Sequence, residues 1–99
     1  MIRHVVSWKV AATSPEQKAA DVATIVSLLS SLVGVVPSIS ALTVGGNVAY
    51  FESNWDVVLV ADFATLADLD AYQTHPEHVA VVPRIKALVT ARAAVDVEL

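Results

Sequence analysis

The chain has no cysteine among its 99 residues. That excludes disulfides, a thiolate nucleophile and a cysteine-based zinc site. Charge is scarce as well. Asp, Glu, Lys and Arg together make 16% of the chain, against about 25% in ordinary soluble domains. The six Lys and Arg are scattered and the formal net charge is −4, so no basic stripe offers a seat to a nucleic acid or an anionic membrane. Long apolar runs are missing too, since nothing approaches ~18 uninterrupted apolar residues. The opening "MIRHVVSWKV" lacks the apolar core and cleavage site of a secretory leader. A soluble, cytoplasmic protein with no nucleic-acid and no membrane partner is expected. Only three glycines occur, and Gly45-Gly46 follows a strand without opening a helix, so no phosphate loop is present. No nucleophile triad is visible.

What is present is apolar. Hydrophobic residues make 56% of the chain, much of it Val and Ala, against about 45–50% in ordinary soluble domains. This length forms one domain, residues 1–99, and a domain of this size buries about 65% of its unfolded surface. So few charges cannot cover so much apolar side chain. A second buried surface is therefore expected, as a homodimer interface.

"IRHVVSWKV" alternates, with Ile2, His4, Val6, Trp8 and Val10 on one face, which is a strand pattern. Ser14, Pro15, Glu16 and Gln17 form a helix start: a cap, a proline at the first helical position and a capping box. Val22, Ile25, Val26, Leu29, Leu32 and Val33 continue it as an apolar stripe, and Gly34 stops it. A strand is expected from Ile39 to the Gly45-Gly46-Asn47 loop, and another over Trp55–Phe63. Thr65 caps a second helix, broken at His75-Pro76 and restarted by Pro76. Ala91–Leu99 alternates again and closes the chain as a strand.

The order β-α-β-β-α-β is the ferredoxin-like unit: an α+β fold with a four-stranded antiparallel sheet and its helices on one face. The more apolar strand faces are expected against the helices. In the last strand these are Ala91, Ala93, Val95, Val97 and Leu99. The other sheet face then carries Arg3, Lys9, Asp56, Asp62, Arg92, Asp96 and Glu98 among Val5, Val58, Val60 and Ala94. Two such faces meeting, with charges paired across the interface, would make a dimeric α+β barrel.

"AYQTHPEH", residues 71–78, concentrates the acid/base chemistry. Imidazole takes and gives protons near neutral pH. His78 reads either as a general base or as a residue that bonds backbone and orders the turn. Tyr72 lies on the buried stripe, as an acid that orients a carbonyl or as core packing with a satisfied hydroxyl. His75 precedes Pro76, so an extended backbone and a capping role are expected there. His75, Glu77 and His78 offer three potential metal donors. The helical pairing of zinc hydrolases is absent and Pro76 disturbs the spacing, so no metal and no other cofactor is expected. His4 lies among apolar residues and reads as a satisfied core histidine or a pocket wall.

"MIRHVV", "WDVVLVADF", "AYQTHPEH" and the closing "VDVEL" resemble the stress-responsive A/B barrel, or Dabb, family over essentially the whole chain. The resemblance implies a ferredoxin-like fold and a dimeric α+β barrel. Activities in that family vary. A plant polyketide cyclase belongs to it and closes a ring by an aldol-type step with a Tyr/His acid-base pair. Those positions correspond to Tyr72 and His78, and a histidine at the edge of that enzyme's pocket corresponds to His4. The cyclase has aromatics where this chain has Ala19, Ala20, Ala23 and Thr24, and a histidine in place of Val57, which implies a different substrate. The site expected here has His78 as base and Tyr72 as acid, with His4, His75, Leu59 and Val26 lining a pocket for a small apolar carbonyl ligand. The competing expectation is a non-enzymatic dimer in which the same residues brace the second helix. Cofactor-free monooxygenation, by analogy with other dimeric α+β barrels, is a third.

Overall fold

The computed structural model describes residues 1–99. The elements are β1 (Ile2–Val10), α1 (Pro15–Ser30), β2 (Ala41–Gly46), β3 (Val57–Phe63), α2 (Leu66–Thr74), α3 (Pro76–Lys86) and β4 (Val89–Glu98). The strands form one antiparallel sheet in the order β2-β3-β1-β4. With the helices on one face, this is the ferredoxin-like α+β fold.

Strand alternation becomes burial directly. Ile2, His4, Val6, Trp8 and Val10 of β1 are buried, as are Val57, Leu59, Ala61 and Phe63 of β3. Ile25 and Leu29 of α1, Leu69 and Tyr72 of α2, and Val81 and Ile85 of α3 close the core over them. The helix starts follow their caps: Ser14 Oγ accepts from Gln17 N at 3.2 Å, and Thr65 Oγ1 accepts from Asp68 N at 3.2 Å. The break between α2 and α3 has a local cause. His75 takes the extended φ −61°, ψ 135° that a following proline favours, and its Nδ1 accepts from Glu77 N at 3.1 Å. The chain turns at Gly34, φ 79°, and Leu32 and Val36 of that turn reach into the core.

Two strands begin later than their sequence pattern implies. Ile39 N donates to Val36 O in a turn, so β2 starts at Ala41. Asp56 is the other correction, because it does not lie on the open face of the sheet. It is 7% exposed, its Oδ2 accepts from Val10 N at 2.9 Å, and Lys18 Nζ of α1 is 3.7 Å from Oδ1. The β1–β4 ladder shifts between Lys9 and Val10, and the carboxylate takes up the amide beside that irregularity.

β4 carries the largest correction, because its faces are the reverse of the expectation. Its register pairs Trp8 with Arg92, Val6 with Ala94, His4 with Asp96 and Ile2 with Glu98. Directly opposed residues project to the same side, so Arg92, Asp96 and Glu98 face the helix layer. Ala91, Ala93, Val95 and Val97 join Lys9, Ser7, Val5 and Arg3 on the open face. The physical reason is that β4 is an edge strand exposed from Arg92 onward. The helices leave those side chains largely exposed, so burial does not select apolar residues on its helix side. The open face is accordingly more apolar than expected. Val58, Val95 and Val97 stand exposed on it. Of its charges, Arg3 and Asp62 neutralise one another in a bidentate pair at 2.9 and 3.0 Å. That pairing raises the guanidinium pKa and lowers the carboxyl pKa, the side-chain hydrogen bond being the main cause in both.

Candidate functional site

A cavity of about 340 Å³ lies between the sheet and α2–α3. β1 contributes His4, Val6 and Trp8, β3 contributes Leu59, and α1 contributes Leu29. Tyr72 and Gln73 come from the end of α2, and His78, Val82, Ile85 and Lys86 from α3. Arg92 of β4 closes the lining. The volume sits at the lower end of the ~300–1,000 Å³ usual for ligand sites. The walls have the usual makeup of such sites too: apolar, with a few convergent polar groups.

The break at His75-Pro76 positions the chemistry. It sets α3 at a new start, so that His78, one turn in, comes back over Tyr72. Their ring centroids are 4.4 Å apart. Tyr72 also packs on Phe63 at 5.1 Å and faces the His4 ring edge at 6.2 Å. His78 Nδ1–H donates to the Gln73 carbonyl at 3.0 Å, which leaves the Nε2 lone pair free. Burial lowers the His78 pKa. The hydrogen bond to the Gln73 carbonyl opposes that, and the neighbouring His4 and Arg92 add to the lowering. His78 is therefore a neutral imidazole near pH 7, as a general base requires. Tyr72 has its pKa pushed up to about 12, mainly by burial, with Arg92 pulling it down. It is a phenol that donates rather than a phenolate. His4 is 4% exposed, and its Nδ1–H donates to Asp96 Oδ1 at 2.5 Å, which fixes the ring and turns Nε2 toward the interior.

Tyr72, His78, His4 and Leu59 thus meet at one cavity. Two residues expected there do not. His75 is the N-cap of α3; its side chain is committed to its own helix start. Val26 lines a separate cavity of about 710 Å³ beside α1, because its position on the helical stripe faces the segment that follows β2 rather than α3. In "HPEH" the two imidazoles are engaged by different partners, His75 by Glu77 N and His78 by Gln73 O. Sequence reasoning missed Arg92, Asp96, Gln73 and Lys86. A signal for Asp96 existed: a buried histidine needs a partner, and the closing strand pairs with the first.

No curated protein matches the chain. Among solved structures, a dimeric protein of unknown function with a ferredoxin-like fold from Bacteroides fragilis is 28% identical, with TM-score 0.88 over 99% of this chain and 95% of its own. A dimeric ferredoxin-like protein of unknown function from Thermobifida fusca is also 28% identical, with TM-score 0.81 over 99% and 90% of the two chains. A Dabb family protein with a ferredoxin-like fold from Mesorhizobium loti is 19% identical, with TM-score 0.71 over 99% and 95%. The family profile for the stress responsive A/B barrel domain matches residues 2–99, and the chain belongs to that family.

Proposed function

We propose that this protein is a homodimer whose cavity under α2 and α3 binds a small apolar carbonyl compound and moves a proton on it. The observation that carries this reading is the convergence of a neutral imidazole with a free Nε2, a protonated phenol and an oriented second imidazole on one apolar cavity. In the step proposed, Tyr72 donates a hydrogen bond to the carbonyl oxygen. The acidity of the neighbouring C–H rises, and His78 Nε2 takes that proton as the C–H electrons move into the enolate. Return of the proton to carbon, or attack of the enolate on a second carbonyl as in the polyketide-cyclase alternative with the imidazolium protonating the alkoxide so formed, restores neutral His78.

The open sheet face supports the dimer. Val5, Val58, Val60, Val95 and Val97 form an apolar field around one neutralised ion pair, and the two relatives at 28% identity are dimers. Two such faces packed together form the α+β barrel.

One observation favours a second reading. The His78–Gln73 hydrogen bond also ties the start of α3 to the end of α2, which is what a bracing residue does. Deuterium exchange separates the two. Phenylacetone in D₂O is followed by proton NMR with wild-type protein and with His78→Gln. Proton transfer predicts exchange above a matched imidazole buffer for wild type, its loss in the variant and a nearly unchanged melting temperature. Bracing predicts no exchange in either protein and a stability loss of about 1–3 kcal/mol in the variant.

A further inference from the structure

Two cationic side chains of the cavity have no role in proton transfer: Arg92 of β4 and Lys86 at the end of α3. The chain holds six Lys and Arg against ten Asp and Glu, so acidic partners are in excess. Elsewhere three of the four remaining cations find company, Arg84 at the end of α3 being the exception. Arg3 is bidentate on Asp62, Lys18 stands 3.7 Å from Asp56, and Lys9 lies 5.2 Å over the Trp55 ring. Arg92 and Lys86 form no ion pair, and no Asp or Glu lines the cavity. Asp96, on the same face of β4 as Arg92, is held by His4. The helix C-terminus accounts for a lysine at 86, as it does for Arg84. It does not account for Arg92, which the strand register sets opposite Trp8. Its charge reaches both Tyr72 and His78.

We infer that the cavity's ligand is an anionic carbonyl compound, a small keto acid, whose carboxylate is held by Arg92 and Lys86 while its carbonyl meets Tyr72. This rests on the carbonyl-pocket reading above. A guanidinium presents a planar fork that matches a carboxylate in two parallel hydrogen bonds, and an ammonium adds a point charge. The apolar part of the ligand then lies on Trp8, Leu59, Val82 and Ile85. Anchoring one end in this way decides which C–H is presented to His78. A cationic mouth on an acidic protein also concentrates anions at the site and away from the rest of the surface.

Phenylpyruvate and phenylacetone differ only by a carboxylate in place of a methyl group. Each is titrated into the isotope-labelled protein, with the amide signals of Gln73 and His78 as reporters. Phenylpyruvate is expected to bind at least about tenfold tighter, which corresponds to about 1.4 kcal/mol. The gap should shrink in about 0.5 M salt. Arg92→Met and, separately, Lys86→Met should each narrow it, whereas Arg84→Met, outside the cavity, leaves it intact. If phenylacetone binds and phenylpyruvate binds no tighter, or the gap survives both cavity variants, the keto-acid inference is overturned and the carbonyl pocket stands. If neither compound perturbs the reporters, both are overturned.

Discussion

Tyr72→Phe separates the phenol from the ring that carries it. The ring is 1% exposed, with centroids 5.1 Å from Phe63 and 4.4 Å from His78, and phenylalanine keeps these contacts. Only the hydroxyl is lost. Burial raises its pKa from 10.0 to about 12, so at pH 8 about one folded molecule in 10⁴ carries phenolate and the group remains a donor. Removing a donor aimed at a developing oxyanion costs about 10²–10³-fold in rate, and phenylacetone exchange should fall by that factor. The same pKa change has a thermodynamic signature. The folded state holds this proton more tightly than the unfolded chain, so the stabilisation is fully present below pH 10 and is lost as the pH rises to about 12. Its size is about 3 kcal/mol. Urea unfolding, followed by Trp8 fluorescence, should show wild type losing about 3 kcal/mol more than Tyr72→Phe across that window. Equal exchange rates together with parallel stability curves up to pH 12 would refute both the donor role and the buried acid.

His78 gives the opposite pH signature. Burial lowers its folded pKa below 6.5, so its contribution to stability is present above that value and is lost as the pH falls through it toward the folded pKa. Wild type should therefore lose more stability than His78→Gln as the pH falls from 7 through 6.5 and below, and a smaller loss in wild type would contradict the burial argument. Asp56→Ala leaves the Val10 amide, now bonded at 2.9 Å, without its carboxylate. A loss of about 1–3 kcal/mol is expected, or roughly 4–8 °C in melting temperature for each kcal/mol, while Asp56→Asn keeps an acceptor and recovers most of it; a melt of the alanine variant within a degree of wild type is the adverse result. Val95→Asp puts a charge on the open sheet face, at a position 63% exposed in the single chain. Sedimentation should show a folded monomer at micromolar concentration, and an undiminished dimer would move the interface elsewhere.

The fold was legible because its core strands and caps carry local signals. β1 and β3 alternate without interruption, and Ser14, Thr65 and Pro76 start helices where they stand. The Tyr72–His78 pair came from the resemblance to the cyclase, and the break at His75-Pro76 is what brings the two rings to 4.4 Å. β4 was misread because its alternation is unambiguous in period and mute in phase. One face carries Arg92, Asp96 and Glu98 and the other Ala91, Ala93, Val95 and Val97, and it is the charged one that turns to the helices. Only its pairing with β1 determines that Arg92 and Asp96 point toward the helices. Val26 was misplaced through a similar gap, since a helical stripe is broad enough to touch two different neighbours.

α1 ends at Ser30, short of the Gly34 stop its stripe implied. Sequence alone therefore determined the element order, the helix starts, the buried faces of the central strands and the excess of apolar side chains. Each of these depends on residues near one another in the chain, through capping, backbone restriction and periodicity. The cationic lining of the cavity, the Asp96 partner of His4 and the apolar character of the open sheet face were decided by tertiary structure. They depend on the register between the first and last strands, Ile2 opposite Glu98. A one-residue slip there would exchange every side chain of β4 between the helix side and the open face of the sheet.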